Sequence, residues 1–348
     1  MAISENNEIR SNLLQCPRDT NDKIFFTLMD YLNNLFMSND PEDILRFYDY
    51  FENRDQLIKW MKERPKGNYR IVEFNNDEND IIVVIPTMDA NGKFAKTCRD
   101  DIFKGLHIIF VESGIGNYYF NYAHNCNAGI KRAMEYNPKW IVLSNDDMYK
   151  IDDVDILKNE LLKIKNKNFD VIFIQSSKYH SFLARIGRLR FEKFYVLITA
   201  SYRTFYKKDG YYNLINSLKI EKKIKNIEKK FSIKYYRLPI NNIFLKIFAQ
   251  ITLNKFIDYI VINDFLIFDT NYIKNNGSIL FDETFINDAE DDALAIDIFI
   301  NKVKYTRINY RIGDYIGSSV GTGIIRNLRS ILNLAYLNLC LKNKYKLQ

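Results

Sequence analysis

The stretch Trp140-Ile141-Val142-Leu143-Ser144-Asn145-Asp146-Asp147-Met148 decides the fold. It begins as a short apolar run with β-branched residues, which is typical of a buried strand, and it stops abruptly on an amide and two carboxylates. In open α/β sheets, ligands bind outside the carboxyl ends of the strands. Two acids at such an end can hold a divalent cation, and the cation can neutralise a diphosphate. Asn and Asp also commonly turn the chain or cap a helix, so this alternative stays open.

Two further strands of the buried type precede this stretch. The first is Ile81–Thr87, and the second, at 106–111, ends on Glu112 and Ser113. Apolar residues at helical spacing separate the three strands. This rhythm of strand, helix, strand, helix, strand predicts an α/β fold with a mostly parallel, doubly wound sheet flanked by helices. The polar strand ends would then line up along one edge: Pro86-Thr87, Glu112-Ser113 and Asn145-Asp146-Asp147.

A second acidic segment lies at 282–292, after a further predicted strand at 259–268. Its carboxylates are Asp282, Glu283, Asp288, Glu290, Asp291 and Asp292. Apolar residues spaced by four, three and four predict a helix that starts close to Asp288, with Glu290 and Asp291 in its first turn. Acids in a first turn cap a helix and favour its dipole, but capping needs only one or two of them. Their density here indicates a chemical role as well.

The composition is that of a folded protein with a mildly basic surface. Hydrophobic residues make up 47% and charged residues 27% of the 348 residues, and the formal net charge is +7. Four widely separated cysteines suggest neither a zinc site nor a disulfide framework, which predicts a cytoplasmic setting. We find no signal peptide and no apolar run long enough to span a membrane. The absence of a dinucleotide fingerprint and of a P-loop disfavours enzymes built on those motifs.

Helical additions are predicted on both sides of the sheet domain. The predicted units are a helical extension at 1–75, a sheet domain at 76–321 with a nucleotide-binding half (76–150) and an acceptor and catalytic half (151–321), and an amphipathic helix at 322–348. This last helix is basic, and so is the lysine-rich segment 219–234. Each either packs on the domain or lies at an anionic membrane surface. A peripheral contact with the inner face of the membrane therefore stays open.

The order of these motifs resembles that of family 2 glycosyltransferases, which have the GT-A fold. The resemblance covers about 81–321, with the middle region poorly matched, and rests on five motifs in the family's order. These are Val-Val-Ile-Pro86-Thr87; Phe-Val-Glu112-Ser113-Gly; Asn127-Ala-Gly129-Ile; Leu-Ser-Asn145-Asp146-Asp147 at the metal-binding Asp-x-Asp position; and Phe281-Asp-Glu-Thr-Phe285 followed by Glu290-Asp291. Any one motif is weak, but five in order are fairly specific.

The resemblance implies a role for each matched residue. A nucleotide-sugar donor would contact Pro86, Thr87, Glu112, Ser113, Asn127, Asn145 and Asp146. A Mg²⁺ or Mn²⁺ ion on the diphosphate would be held by Asp147, Asn145 and Asp314. Asp291 would be the general base, with Glu290 beside it in the catalytic pair. The chain departs from the family at Asn145 and Glu112, where the family has Asp, and at Asp314, where it often has His.

Together these roles predict an inverting, metal-dependent glycosyltransferase that moves a sugar from a nucleotide-sugar donor to a hydroxyl of a glycan or lipid-linked acceptor. The cation stabilises the leaving diphosphate, and the base takes the proton of the acceptor hydroxyl. Two alternatives remain. A sugar-1-phosphate nucleotidyltransferase could use the same sheet, although the loop after the first strand is poor in glycine and basic residues. A non-catalytic basic module could bind membrane or nucleic acid, although no nucleic-acid motif accompanies the lysines, and we expect no nucleic-acid partner.

Overall fold

The computed structural model describes residues 18–77, 79–175, 180–186, 214–239, 257–261, 264–315 and 323–345, together with positions 193 and 197. The strands are β1 (Arg70–Phe74), β2 (Ile81–Thr87), β3 (His107–Glu112), β4 (Trp140–Ser144), β5 (Met148–Lys150), β6 (Val171–Ile174), β7 (His180–Ile186), β8 (Tyr235–Pro239), β9 (Ile257–Val261), β10 (Phe265–Asp269), β11 (Tyr305–Ile308) and β12 (Ile312–Asp314). The helices are α1 (Arg18–Met37), α2 (Pro41–Asp49), α3 (Arg54–Glu63), α4 (Lys93–Thr97, continued by a π-helical turn, Cys98–Ile102), α5 (Tyr122–Met134), α6 (Val154–Ile164), α7 (Leu214–Lys230), α8 (Thr270–Asn275), α9 (Glu290–Ile300) and α10 (Gly323–Tyr345).

Seven strands form one mixed sheet in the order β1-β3-β2-β4-β10-β6-β11. Strand β2 pairs in parallel with both β3 and β4, and β6 pairs in parallel with β11. Strand β1 is antiparallel to β3, and β10 is antiparallel to both β4 and β6. Five strands therefore run one way, while β1 and β10 run the other. The predicted α/β class is confirmed, and so is the parallel arrangement of the three strands that end at Thr87, Glu112 and Ser144.

Successive residues of the central strands are buried on opposite faces of the sheet. Val83 and Ile85 of β2 belong to a core that is closed by α4 and α6. Ile82 and Val84 belong to a second core, which is closed by α5 and α9. Because helices cover both faces, each strand reads as a continuous apolar run rather than as an alternating pattern. Each fully buried Val or Ile stabilises the fold by roughly 1.5–3 kcal/mol relative to an exposed one.

Helix α5 approaches the sheet closely at Gly129. A Cβ atom at this position would lie 2.4 Å from Cγ1 of Val84 and 2.7 Å from Cγ2 of Val111, closer than side chains pack. Only glycine therefore allows α5 to lie this near to β2 and β3. The helix starts at Tyr122, so this packing holds its first turn beside the edge at which the parallel strands end.

The terminal helices share a third hydrophobic core. It contains Phe36, Phe47 and Trp60 from α1, α2 and α3, with ring centroids 4.8 to 6.0 Å apart. Helix α10 contributes an apolar side that is at most 2% exposed: Leu328, Ile331, Leu332, Ala335, Leu337 and Leu341. Helix α7 adds Ile224, and Phe285, Ile286 and Ile296 belong to the same core. The predicted N-terminal and C-terminal helical additions thus form one helical layer.

Two strands differ from the sequence prediction. Strand β1 lies inside the predicted helical extension 1–75, whose helices end at Glu63, and it joins the sheet as an edge strand beside β3. The single strand predicted at 259–268 is two strands, β9 and β10, with Asp264 in between. The polar residue interrupts the apolar run and turns the chain, as Asp commonly does. Strand β9 belongs to a separate sheet of order β8-β7-β9.

The two basic helices bury apolar residues against the third core. Helix α10, predicted at 322–348, spans Gly323–Tyr345, and its apolar side is taken up by the third core. Helix α7 likewise buries Ile224 while Lys222 and Lys223 are exposed. Of the two alternatives for α10, packing on the domain is therefore the one observed. Within the ranges described above, no helix is both long enough and apolar enough to cross a bilayer.

Candidate functional site

Four strands contribute polar residues to one edge of the sheet. The register pairs Thr87 at the end of β2 with Glu112 at the end of β3. It also pairs Ser144 at the end of β4 with Phe265 at the start of the antiparallel β10. The three carboxyl ends and Asp264, which precedes Phe265, therefore meet at the same edge. This is where open α/β sheets bind ligands.

Thr87, Ser113 and Asp146 lie together at this edge. The hydroxyl of Thr87 donates to Oδ2 of Asp146 at 2.6 Å. The backbone N–H of Ser113 donates to the carbonyl of Thr87 at 2.9 Å, and its hydroxyl reaches the same oxygen at 3.2 Å. Burial raises the pKa of Asp146, against the opposing effect of the Thr87 hydrogen bond. Three of the residues predicted to contact a nucleotide are thus brought together, with Pro86 buried in the strand beside them.

Glu112 is an ionised carboxylate that organises its surroundings. Oε2 accepts from the backbone N–H of Ala90 at 3.0 Å, and Oε1 accepts from the guanidinium of Arg70 at 2.8 Å. These contacts, that of Ala90 first, hold the pKa of Glu112 below its usual range. The carboxylate therefore links the loop after β2 to the edge strand β1. Its predicted contact with the base or ribose of a nucleotide stays a prediction.

Asp147 and Asp314 approach each other through a small two-stranded sheet. Strands β5 and β12 pair antiparallel, so that Asp314 is opposite Met148, and the backbone N–H of Tyr315 donates to the carbonyl of Asp147 at 2.8 Å. Carboxylate oxygens suit Mg²⁺ or Mn²⁺, and Mg²⁺ commonly uses one or two carboxylates together with substrate phosphates and water. The role of the two residues as metal ligands stays a prediction. A cluster of three or more His, Cys, Asp or Glu ligands does not occur within the described residues.

The side chain of Asn145 is hydrogen-bonded to Asp264 and Tyr122. Its Nδ2 donates to Oδ1 of Asp264 at 3.0 Å, and its Oδ1 accepts from the phenol of Tyr122 at 3.0 Å. Its backbone N–H also donates to the carbonyl of Asp264 at 3.1 Å. Of the three residues predicted to hold the metal, Asp147 and Asp314 are thus neighbours, whereas the amide of Asn145 faces Tyr122 and β10.

Asp291 lines a narrow cleft beside the strand ends. The cleft is small and partly open to solvent. Its polar lining consists of Asp291, Asp264 and Tyr122, and the rest is apolar: Leu143, Phe265, Leu266, Phe281, Leu294 and Ala295. Helix α9 places Asp291 here because it starts at Glu290, after Ala289 in the left-handed region with φ of 67°. A carboxylate in such a cleft can accept a proton from a bound hydroxyl.

Glu290 is the buried partner of Asp291. Its side chain is only 6% exposed, and Oε2 has no hydrogen-bond partner in the described part of the chain. Burial, followed by the negative charge of Asp291, raises the pKa of Glu290 well above its usual value. The protonated form of Glu290 is therefore favoured over the ionised form more strongly than in an exposed glutamate. Two adjacent carboxyl groups in different environments are the arrangement by which proteins assign different protonation states to a pair.

Asn127 fixes the acidic segment to α5. Its Nδ2 donates to the carbonyl of Phe281 at 2.8 Å and to Glu283 at 3.1 Å, while its Oδ1 accepts from the N–H groups of Leu280 and Phe281. These four contacts use the full hydrogen-bonding capacity of the amide. The structure thus gives Asn127 a positioning role behind the cleft. Its predicted contact with a nucleotide would require breaking one of these bonds.

Two cleft residues, Tyr122 and Asp264, are absent from the sequence prediction. Tyr122 lies on a helix that was interpreted only through its apolar stripe, and Asp264 was placed inside the single strand predicted at 259–268. An Asn-Asp pair at 263–264, in the middle of an apolar run, is a turn signal that could have identified Asp264.

Comparisons of the chain with models of protein families, with curated proteins and with solved structures gave no match. The arrangement of residues at the sheet edge and in the cleft is therefore the basis for inferring a function.

Proposed function

We propose that the protein is an inverting glycosyltransferase that uses a nucleotide-sugar donor and a hydroxyl acceptor on a glycan or a lipid-linked sugar. One observation carries the proposal: the residues around Thr87 at the sheet edge lie beside the cleft that Asp291 lines. The hydrogen bond from Thr87 to Asp146 joins β2 to the loop after β4. The bond from Tyr122 to Asn145 then joins that loop to the cleft that Asp291 lines.

Asp147 and Asp314 are the residues that would hold Mg²⁺ or Mn²⁺. Asp147 immediately precedes β5 and Asp314 ends β12, and the pairing of these two strands brings the backbones of the two residues close together. A bound ion at this place would neutralise negative charge on the departing diphosphate. Because only two protein carboxylates are available in this pair, the donor phosphates and water would complete the coordination.

The transfer follows from the position of Asp291. Its carboxylate takes the proton of the acceptor hydroxyl as the oxygen forms a bond to the anomeric carbon. The bond from that carbon to the diphosphate oxygen breaks, and the diphosphate leaves with the electron pair. Attack opposite the leaving group inverts the anomeric centre. Burial favours the protonated form of Glu290, which limits the negative charge next to the base.

The experiment measures release of nucleoside diphosphate from a panel of nucleotide sugars, with Mn²⁺ and a mixture of methyl glycosides as acceptors. We expect turnover with one donor, and Asp291→Asn should lower kcat by roughly 10²–10⁴-fold because general-base catalysis is lost. Asp288→Asn is the matched control, since Asp288 pairs with Arg326 at 3.6 Å and does not line the cleft.

Two outcomes contradict the proposal in different ways. Full activity in the Asp291→Asn variant would remove Asp291 from the base role. If the folded wild-type protein releases no diphosphate from any donor, the glycosyltransferase function itself is rejected.

A further inference from the structure

Asp264 is bound to Asn145 by both its backbone and its side chain. The carbonyl of Asp264 accepts from the Asn145 N–H at 3.1 Å, and its Oδ1 accepts from the Asn145 Nδ2 at 3.0 Å. The NH₂ group of Asn145 therefore faces Asp264. The amide oxygen then faces Tyr122, whose hydroxyl donates to it at 3.0 Å. The orientation of the Asp264 carboxylate is therefore set by a chain of three side chains.

This oriented carboxylate lines the same cleft as Asp291. The two groups come from different elements, since Asp264 precedes β10 and Asp291 lies in the first turn of α9. Around them the lining is apolar, with Phe281 and Leu294 among its members. Sites that bind small molecules commonly combine an apolar lining with a few fixed polar groups. Two carboxylates in one cleft can each accept a hydrogen bond from a hydroxyl group of the same ligand.

We propose that Asp264 binds a second hydroxyl of the acceptor, adjacent to the hydroxyl that Asp291 deprotonates. This inference rests on the proposed function and narrows its substrate class: the acceptor presents two neighbouring hydroxyls on one edge of a sugar ring. The C–H groups of the ring lie against the apolar lining of the cleft. Asn145 acts as a positioning residue, because it orients Asp264.

The pairing also explains why residue 145 is Asn in this chain. An Asp at this position would place two carboxylates within hydrogen-bonding distance, and like charges at this separation cannot both stay ionised without cost. The amide supplies the complementary donor for Asp264. Asn145, which stands where the Asp-x-Asp pattern has its first Asp, is therefore complementary to Asp264 on the neighbouring strand.

The first test compares four variants: Asp264→Asn, Asn145→Asp, the double variant N145D/D264N, and Asp288→Asn as a control. We expect Asp264→Asn to raise the acceptor KM about tenfold, the effect of one charge-assisted hydrogen bond, with the donor KM unchanged. Asn145→Asp should raise the acceptor KM at least as much. The double variant restores a matched donor and acceptor but leaves residue 264 without its charge. We therefore expect it to reverse any additional loss caused by Asn145→Asp and to keep the roughly tenfold loss of Asp264→Asn. A residue that only supports the fold would change kcat and both KM values together.

A second measurement separates failure of this inference from failure of the proposed function. Saturation-transfer NMR with a panel of methyl glycosides reports acceptor binding without any donor. If the wild type releases no diphosphate, the proposed function fails, and binding of a glycoside that is lost in Asp264→Ala but kept in Asp288→Asn still supports the cleft as a sugar site. Equal glycoside binding and equal acceptor KM in wild type and in Asp264→Asn overturn the inference.

Discussion

Glu290 and Asp291 are neighbours in the sequence, yet they meet different surroundings in the first turn of α9. Asp291 lines the cleft, whereas Glu290 is buried, with its pKa raised well above the usual value by burial and by the charge of Asp291. The folded state therefore keeps a proton on Glu290 at pH values where the unfolded chain has lost it. This difference makes stability depend on pH.

The variant Glu290→Gln tests this protonation state. Since the folded pKa is the higher one, the stabilising effect of the proton is fully present below about 4.5, the ordinary value, and is lost as pH rises through the folded pKa. Glutamine carries no such proton. We expect the free energy of unfolding, from urea denaturation between pH 4.5 and neutral pH, to fall less steeply for Glu290→Gln than for the wild type. Parallel curves would show that Glu290 is ionised in the folded protein.

For single residues, the sequence predicts the location of those that stand at the end of an apolar run. Thr87 and Glu112 stand directly at the ends of buried runs, and Asp147 follows the next run within a few residues, so their position at one edge could be predicted from strand ends alone. Asp264 was missed because the Asn263-Asp264 pair lies inside an otherwise apolar run, which was interpreted as one strand. The partners of Asn145 were also hidden, since Tyr122 and Asp264 are distant from it in sequence.

Among the elements, α5 depends most on a single small residue. Helix propensity alone predicts that Gly129→Ala stabilises the protein by about 1 kcal/mol. The contacts with Val84 and Val111 predict the opposite, because the added methyl group would overpack the interface between helix and sheet. We expect Gly129→Ala to lower the free energy of unfolding by roughly 1–3 kcal/mol in urea denaturation. A stabilised variant would contradict the close packing of α5.

The central strands and the helix at Glu290 were predictable because their apolar residues follow regular periods. Strand β1 was not, because the short run Arg-Ile-Val-Glu-Phe is half-exposed at the sheet edge and lacks the continuous apolar character of β2 to β4. Strands β9 and β10 are each apolar, so one interrupted run looked like one strand. Strand β10 pairs antiparallel with β4 and β6 in the main sheet, whereas β9 pairs with β7 in the separate sheet.

Helices α1 and α10 are far apart in the sequence and are joined by hydrogen bonds from Arg329. Arg329 of α10 is 4% exposed, and its guanidinium donates to the carbonyls of Phe36, Met37 and Ser38 at 3.0, 2.7 and 2.9 Å. These carbonyls lie at the end of α1, where a helix leaves its last oxygens unpaired. The sequence predicted both helical additions but not this contact, because periodicity shows that a face is apolar and does not show what covers it.

Arg329→Leu tests the joining of the ends. The substitution keeps an apolar stem but leaves buried carbonyls without donors, so we expect the free energy of unfolding to fall by roughly 2–3 kcal/mol. Arg326→Leu on the same helix is the control, since Arg326 is 45% exposed and its contact with Asp288 is long at 3.6 Å. That change should cost less than about 1 kcal/mol. Equal losses in the two variants would argue against a structural role for Arg329.

The most direct test of metal-dependent donor binding is a thermal-shift screen of nucleoside diphosphates and nucleotide sugars, each with and without Mn²⁺. A ligand that binds only the folded state stabilises it by roughly 2.7 kcal/mol at 100 times its Kd. We predict a rise in Tm with one nucleotide class that requires Mn²⁺, and its loss when Asp147 and Asp314 are both replaced by Asn. No shift with any nucleotide, or a shift that is the same without Mn²⁺ and in the double variant, would contradict the donor site proposed at this edge of the sheet.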